Sequence, residues 1–121
     1  AILGELCDSV FTIEIIASLG NRAKLLLEEL DYQNIKVKVG DGYLGWEAYA
    51  PFDAIIVTCA PTRVPSNLKN QLKEGGRMII PVGSSYSQNL VLLRKANNQL
   101  LEEKILPVLF VPMVDPSGKK Y

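Results

Sequence analysis

Between Val10 and Val39 the spacing of apolar residues changes period twice, and this restricts the possible folds more than any other feature of the chain. Val10-Phe11-Thr12-Ile13 is a short β-branched and aromatic run that closes on an acidic residue, Glu14. From Ala17 to Leu30 the apolar residues Leu19, Ala23, Leu26 and Leu30 fall at spacings of four, three and four. That is one face of an amphipathic helix, weakened slightly by Gly20. Ile35-Lys36-Val37-Lys38-Val39 then alternates strictly, as a strand with one solvated face near a sheet edge does. Strand, helix and strand in that order predict a doubly wound α/β sheet.

The rest of the chain continues the pattern. Ala54-Ile55-Ile56-Val57 is an unbroken apolar run, expected as a strand buried on both faces. Pro65 to Leu72 predicts a short helix with Pro65 in its first turn. Gly75-Gly76 is expected to break the chain before a strand from Arg77 to Val82. Leu90–Leu93 and Ile105–Val114 predict two more strands, an antiparallel addition divided by the polar turn Asn97-Asn98-Gln99. The tail Asp115–Tyr121 carries no core residue and is expected to be mobile.

The chain opens on Ala1-Ile2-Leu3-Gly4-Glu5-Leu6 with neither a Met nor a helix-starting cap, and so reads as the back end of a helix that begins upstream. Residues 1–114 are therefore expected to form a partial domain, with 115–121 as a polar tail. In a doubly wound sheet the first strand lies in the middle, between the strand ending at Glu14 and the strand Ala54–Val57. Without it, those two strands either pair with each other or keep open inner edges.

Composition excludes several classes. The 121 residues are 48% hydrophobic, enough for a packed core. Thirteen Lys and Arg balance 13 Asp and Glu, which lacks the basic footprint of a nucleic-acid binder. No apolar run is long enough to span a membrane. Cys7 and Cys59 fit no metal-ligand spacing and read as reduced thiols of a cytoplasmic protein. The chain contains no histidine, which removes a cysteine nucleophile, Ser-His-Asp triads and most zinc chemistry.

Three positions remain as candidates. Glu14 closes a strand, where nucleotide-binding α/β folds place an acid that accepts from ribose hydroxyls, and where a solvated strand end is the bland alternative. Gly40-Asp41-Gly42 directly follows the alternating strand. Its glycines permit close approach of a ligand and its carboxylate can accept from an amine, although Asp-Gly is also an ordinary turn. Both would point into one crevice at the carboxyl edge of the sheet. Thr58-Cys59-Ala60-Pro61 leaves the most apolar strand; its small residues leave room for a substrate backbone, or simply turn the chain.

Several blocks together resemble a known family. Val10-Phe11-Thr12-Ile13-Glu14, Gly40-Asp41-Gly42-Tyr43-Leu44-Gly45-Trp46, Ala50-Pro51-Phe52-Asp53-Ala54-Ile55-Ile56-Val57-Thr58, Leu72 through Gly83 and Phe110-Val111-Pro112-Met113-Val114 are similar, in order and spacing, to protein-L-isoaspartate O-methyltransferases. The resemblance implies a Rossmann-like, S-adenosylmethionine-dependent methyltransferase sheet, incomplete at the N-terminus. It implies that Glu14 holds the cofactor ribose, that Ile15 lies against the adenine, and that Asp41 and Gly42 border the adenine. Thr58, Cys59, Ala60 and Pro61 would lie near an isoaspartyl protein or peptide, whose free α-carboxylate is methylated for repair. The family's glycine-rich cofactor loop and its upstream hydroxyl residue have no counterpart in these residues. The resemblance therefore assigns no catalytic residue, and the 121 residues alone are expected to be inactive. The competing readings are a small-molecule methyltransferase of the same fold and a non-catalytic domain that binds a nucleotide or a partner.

Overall fold

The computed structural model describes all residues from Ala1 to Tyr121. They divide into two compact units, Ala1–Gly42 and Tyr43–Tyr121.

In the first unit a helix α1 (Ile2–Leu6) precedes a strand β1 (Val10–Glu14), a helix α2 (Ala17–Glu29) and a strand β2 (Ile35–Val39). β1 and β2 pair in parallel, with Val10 opposite Ile35 and Glu14 opposite Val39. The amide of Asn34 donates to the carbonyls of Gly4 and Cys7, and the Tyr32 hydroxyl donates to Glu5. Together they tie α1 to the start of β2. The sequence-expected face of α2 is not the packed one, because Leu19, Leu26 and Leu30 are all exposed. The face turned inward carries Gly20, Ala23 and Leu27, about 60° further around a helix of 3.6 residues per turn. Gly20 explains the rotation. A Cβ there would lie 2.8 Å from Val39 Cγ2 and 3.4 Å from Glu14 Cβ, so the glycine is where α2 comes closest to both strands.

The second unit is a four-stranded sheet in the order β3-β4-β5-β6, with β3 (Phe52–Ile56), β4 (Leu72–Gly83), β5 (Gln88–Ala96) and β6 (Gln99–Val108). β3 pairs in parallel with β4, while the β4–β5 and β5–β6 pairs are antiparallel. A short helix α3 (Ser66–Asn70) lies between β3 and β4. Met78 and Ile80 on β4 stand opposite Leu93 and Val91 on β5. These four, with Leu68 of α3 and Leu72, form the buried core. Each such side chain is worth about 1.5–3 kcal/mol when removed from water.

Three more expectations need correction. Ala54–Val57 is not buried on both faces: β3 is an edge strand, Ala54 is exposed and Ile56 is 56% exposed. Gly75-Gly76 does not stop the chain before β4, which begins at Leu72 and passes through both glycines. Two steps along β3, Phe52 to Ala54, face five along β4, Leu72 to Arg77. The surplus is taken up where Gly75 adopts φ +78° and Gly76 has no room for a Cβ, 2.7 Å from the Lys73 carbonyl oxygen. Finally, the last strand runs over Gln99–Val108 rather than Ile105–Val114, because Asn97 and Asn98, at φ 53° and 60°, make the two-residue turn that starts pairing at Gln99.

The tail contributes no buried residue, as expected, yet it is tied down. Asp115 accepts from the backbone of Ser117 and Lys119, and the Tyr121 N–H donates to the Met113 carbonyl. The Tyr121 ring stacks on Tyr43 at 3.8 Å.

Candidate functional site

In the first unit the parallel register brings the acidic candidates to one edge. Glu14 is the last residue of β1 and stands opposite Val39, the last residue of β2; Asp41 follows two positions later. The Gly40 N–H donates to the Glu14 carbonyl at 3.0 Å, extending the ladder into the Gly40-Asp41-Gly42 triplet. Glu14 Oε1 accepts from the Ile16 N–H at 2.9 Å, which fixes the carboxyl group at the start of α2. Its other oxygen, Oε2, is left to accept from a ligand. Glu14, Ile15, Asp41 and Gly42 are all half-buried. A Cβ built on Gly42 would meet nothing within 4 Å, so the chain there borders open space. An acceptor on one strand end beside a glycine-flanked acid on the next is a pair of groups able to accept from hydroxyl or amine donors.

In the second unit the segment after β3 is more structural than its small residues suggest. The Ala60 N–H donates to the Val111 carbonyl at 2.8 Å, and the Met113 N–H donates to the Ala60 carbonyl at 2.9 Å. The Gly83 N–H donates to the Pro61 carbonyl at 3.1 Å. Ala60 and Pro61 are buried, Cys59 is half-buried and Thr58 is exposed. Any ligand reaching this segment would meet Thr58 and Cys59 first, with Ala60 and Pro61 as their rigid floor. The cysteines form no disulfide.

Two buried side chains escaped the sequence reading. Gln71, 8% exposed, accepts from the Trp46 N–H at 2.8 Å and donates to the Leu44 carbonyl at 2.9 Å. It thereby clamps the loop that continues from Gly42. Gly45, at φ +67°, must be glycine because a Cβ would run into the Gln71 amide. Gln88, 3% exposed, makes the same two-point contact with Phe110. Neither carries a sequence signal, since Gln71 stands in Asn70-Gln71-Leu72 and Gln88 in Ser87-Gln88-Asn89, among mostly polar neighbours. A groove lined by Leu44, Pro51, Asn67 and Asn70 lies at the amino ends of β3 and β4, the opposite edge from Thr58–Pro61.

No His, Cys, Asp and Glu gather into a metal-binding group, and no helix is long and apolar enough to cross a membrane.

Comparison with known proteins bears on the chain as a whole. Residues 1–118 match the family model described as Protein-L-isoaspartate(D-aspartate) O-methyltransferase. The chain is 46% identical over 114 residues to a protein-L-isoaspartate O-methyltransferase of Gloeobacter violaceus, covering 93% of this chain and 56% of that protein. It is 48% identical over 115 residues to protein-L-isoaspartate O-methyltransferase 2 of a Polaromonas species, covering 93% and 54%. The chain thus spans about half the length of the curated relatives it matches. Among solved structures, a protein-L-isoaspartate O-methyltransferase superposes with a TM-score of 0.79 at 32% identity, covering 85% of this chain and 33% of the other. A Plasmodium falciparum protein, described as a putative enzyme of this kind in complex with S-adenosyl-L-homocysteine, gives 0.75 at 26% identity, covering 87% and 52%.

Proposed function

We propose that this chain, which belongs to the protein-L-isoaspartate(D-aspartate) O-methyltransferase family, is part of an enzyme that methylates the free α-carboxylate of L-isoaspartyl residues in damaged proteins or peptides. The observation that carries the reading is the pairing of Glu14 with Val39, which sets Glu14 and Asp41 at one carboxyl edge of adjacent parallel strands. S-adenosylmethionine is the methyl donor of the reading, supplying an electrophilic methyl on a sulfonium. The Glu14 carboxylate accepts from the ribose hydroxyls, Ile15 lies against the adenine, and Asp41 and Gly42 border it. Thr58 and Cys59, on the floor of Ala60 and Pro61, adjoin the isoaspartyl peptide. The chain's part in the reaction is to position and to exclude water, since a carboxylate attacks a methyl group without prior proton transfer or a covalent enzyme intermediate. None of these residues is assigned as catalytic. Residues 1–114 form part of the methyltransferase domain, with 115–121 as a polar tail. The methyl ester collapses through a succinimide, which allows repair.

We place the protein in the cytoplasm on the strength of two cysteines that form no disulfide.

The test is methyl transfer by the full-length protein to paired peptides that differ only in an isoaspartyl or an aspartyl linkage, alongside small carboxylic acids. Methylation confined to the isoaspartyl peptide is expected. Preference for a small acid points to the small-molecule reading, and no transfer to any acceptor removes the enzyme reading altogether.

A further inference from the structure

We propose that Gln88 is a positioning residue for the peptide substrate, setting the height and orientation of Thr58–Pro61 from beneath. This rests on the assignment of that segment to the substrate. β6 ends at Val108, so Phe110 has left the sheet and its backbone has no ladder partner. Gln88 supplies one. Its Nε2 donates to the Phe110 carbonyl at 3.0 Å and its Oε1 accepts from the Phe110 N–H at 2.7 Å, so one side-chain amide stands in for a neighbouring strand.

The consequence travels one residue along the chain. Val111 and Met113, just beyond Phe110, hold the N–H and the carbonyl of Ala60. The stretch Leu109–Val111 has little else to place it, since Leu109 is 72% and Val111 69% exposed and apolar burial resumes only at Met113, 5% exposed. Burial at Met113 anchors one end of the segment, and hydrogen bonds must fix the exposed residues before it. The second support of the loop leads back to the same residue. The Pro61 carbonyl is held by the Gly83 N–H, and Gly83 stands opposite Gln88 in the β4–β5 register. The backbone of Gln88 thus aligns one support and its side chain the other. Gly83 itself, at φ +146°, admits no Cβ because the Ser87 carbonyl occupies the space.

The experiment uses the full-length protein and its variants Gln88→Leu and Gln88→Glu. Gln88→Leu removes both contacts at similar volume; Gln88→Glu keeps the acceptor for the Phe110 N–H and loses the donor. Three quantities are read: the KM for an isoaspartyl peptide, the affinity for S-adenosylhomocysteine, and amide hydrogen exchange at Ala60 and Met113. In Gln88→Leu the peptide KM should rise about tenfold, as unmaking two part-buried hydrogen bonds implies. Exchange at both amides should accelerate by a similar factor. Gln88→Glu should fall between, and cofactor affinity should stay within about twofold of the parent in both, a difference of no more than about 0.4 kcal/mol.

Unchanged exchange at Ala60 and Met113 overturns the proposal. So does a loss of cofactor affinity in step with the peptide KM, or the loss of cooperative unfolding in both variants, since either means a general structural role. A parent protein that methylates no isoaspartyl peptide refutes the assigned function instead, and the exchange rates still decide whether Gln88 holds the segment.

Discussion

Replacing Gln71 with Leu should destabilise the protein out of proportion to the size of the change. The side chain is 8% exposed, and its amide satisfies the Trp46 N–H at 2.8 Å and the Leu44 carbonyl at 2.9 Å. Leucine keeps the volume and leaves both backbone groups without partners. A buried backbone group left unsatisfied costs about 1–3 kcal/mol. The loop is partly open to solvent at Leu44, so water will recover some of this, and we expect a net loss of about 2–4 kcal/mol. Gly45 provides an independent handle. Gly45→Ala places a methyl against the Gln71 amide and also holds an L-residue at φ +67°, worth about 1–2 kcal/mol by itself. In a Gln71→Ala background the overlap disappears and the backbone strain alone remains. The two losses should therefore not add, with a coupling of about 1 kcal/mol or more. The assay is equilibrium urea unfolding of the full-length protein, the single variants Gln71→Leu, Gln71→Ala and Gly45→Ala, and the Gln71→Ala/Gly45→Ala double variant. A loss under about 0.5 kcal/mol for Gln71→Leu, or strict additivity in the cycle, would refute the clamp.

Other consequences are independent of that loop. Glu14→Ala should weaken S-adenosylhomocysteine binding in a calorimetric titration by about 1.5–3 kcal/mol, the range for a hydrogen bond to a charged group; unchanged affinity would leave Glu14 as a solvated strand end. The hydrogen bond from Tyr32 to Glu5, together with the nearby carboxylate charge, raises the Tyr32 phenol above its ordinary value. A group raised on folding contributes stability below its unfolded pKa and loses it as pH climbs through the folded value. Phenolate absorbance in Glu5→Gln should therefore begin to rise at lower pH than in the parent, and identical titrations would contradict the bond. Residues 1–121 expressed alone should self-associate and transfer no methyl group, because Ile2, Leu6, Leu25, Leu26 and Leu30 are exposed; sedimentation as a stable, active monomer would contradict this.

The sequence revealed what depends on local period and hid what depends on distant partners. β1, α2, β2 and the placing of Glu14 before α2 were legible because each is written in a short window of apolar spacing. The packed face of α2 was not, since it is decided by what Gly20 meets on Val39 and Glu14. Likewise Ala54–Val57 reads as fully covered from composition alone, yet burial is a property of neighbours, and β3 has one ladder partner. β6 was misplaced because Glu102, Glu103 and Lys104 do not look like strand residues. They belong to an exposed edge that exists through pairing with β5 across the Asn97-Asn98 turn. Gln71 and Gln88 were silent because their partners lie 22 to 27 residues away. Cys59 and Ala60 were legible as small residues after a strand, but which of them is buried was settled by Val111 and Met113.

The most direct test of the account is a crystal structure of the full-length protein with S-adenosylhomocysteine bound. The account predicts the ribose hydroxyls within hydrogen-bonding distance of the Glu14 carboxylate, with Ile15, Asp41 and Gly42 lining the adenine. A nucleoside bound elsewhere, with Glu14 turned to solvent, would contradict it.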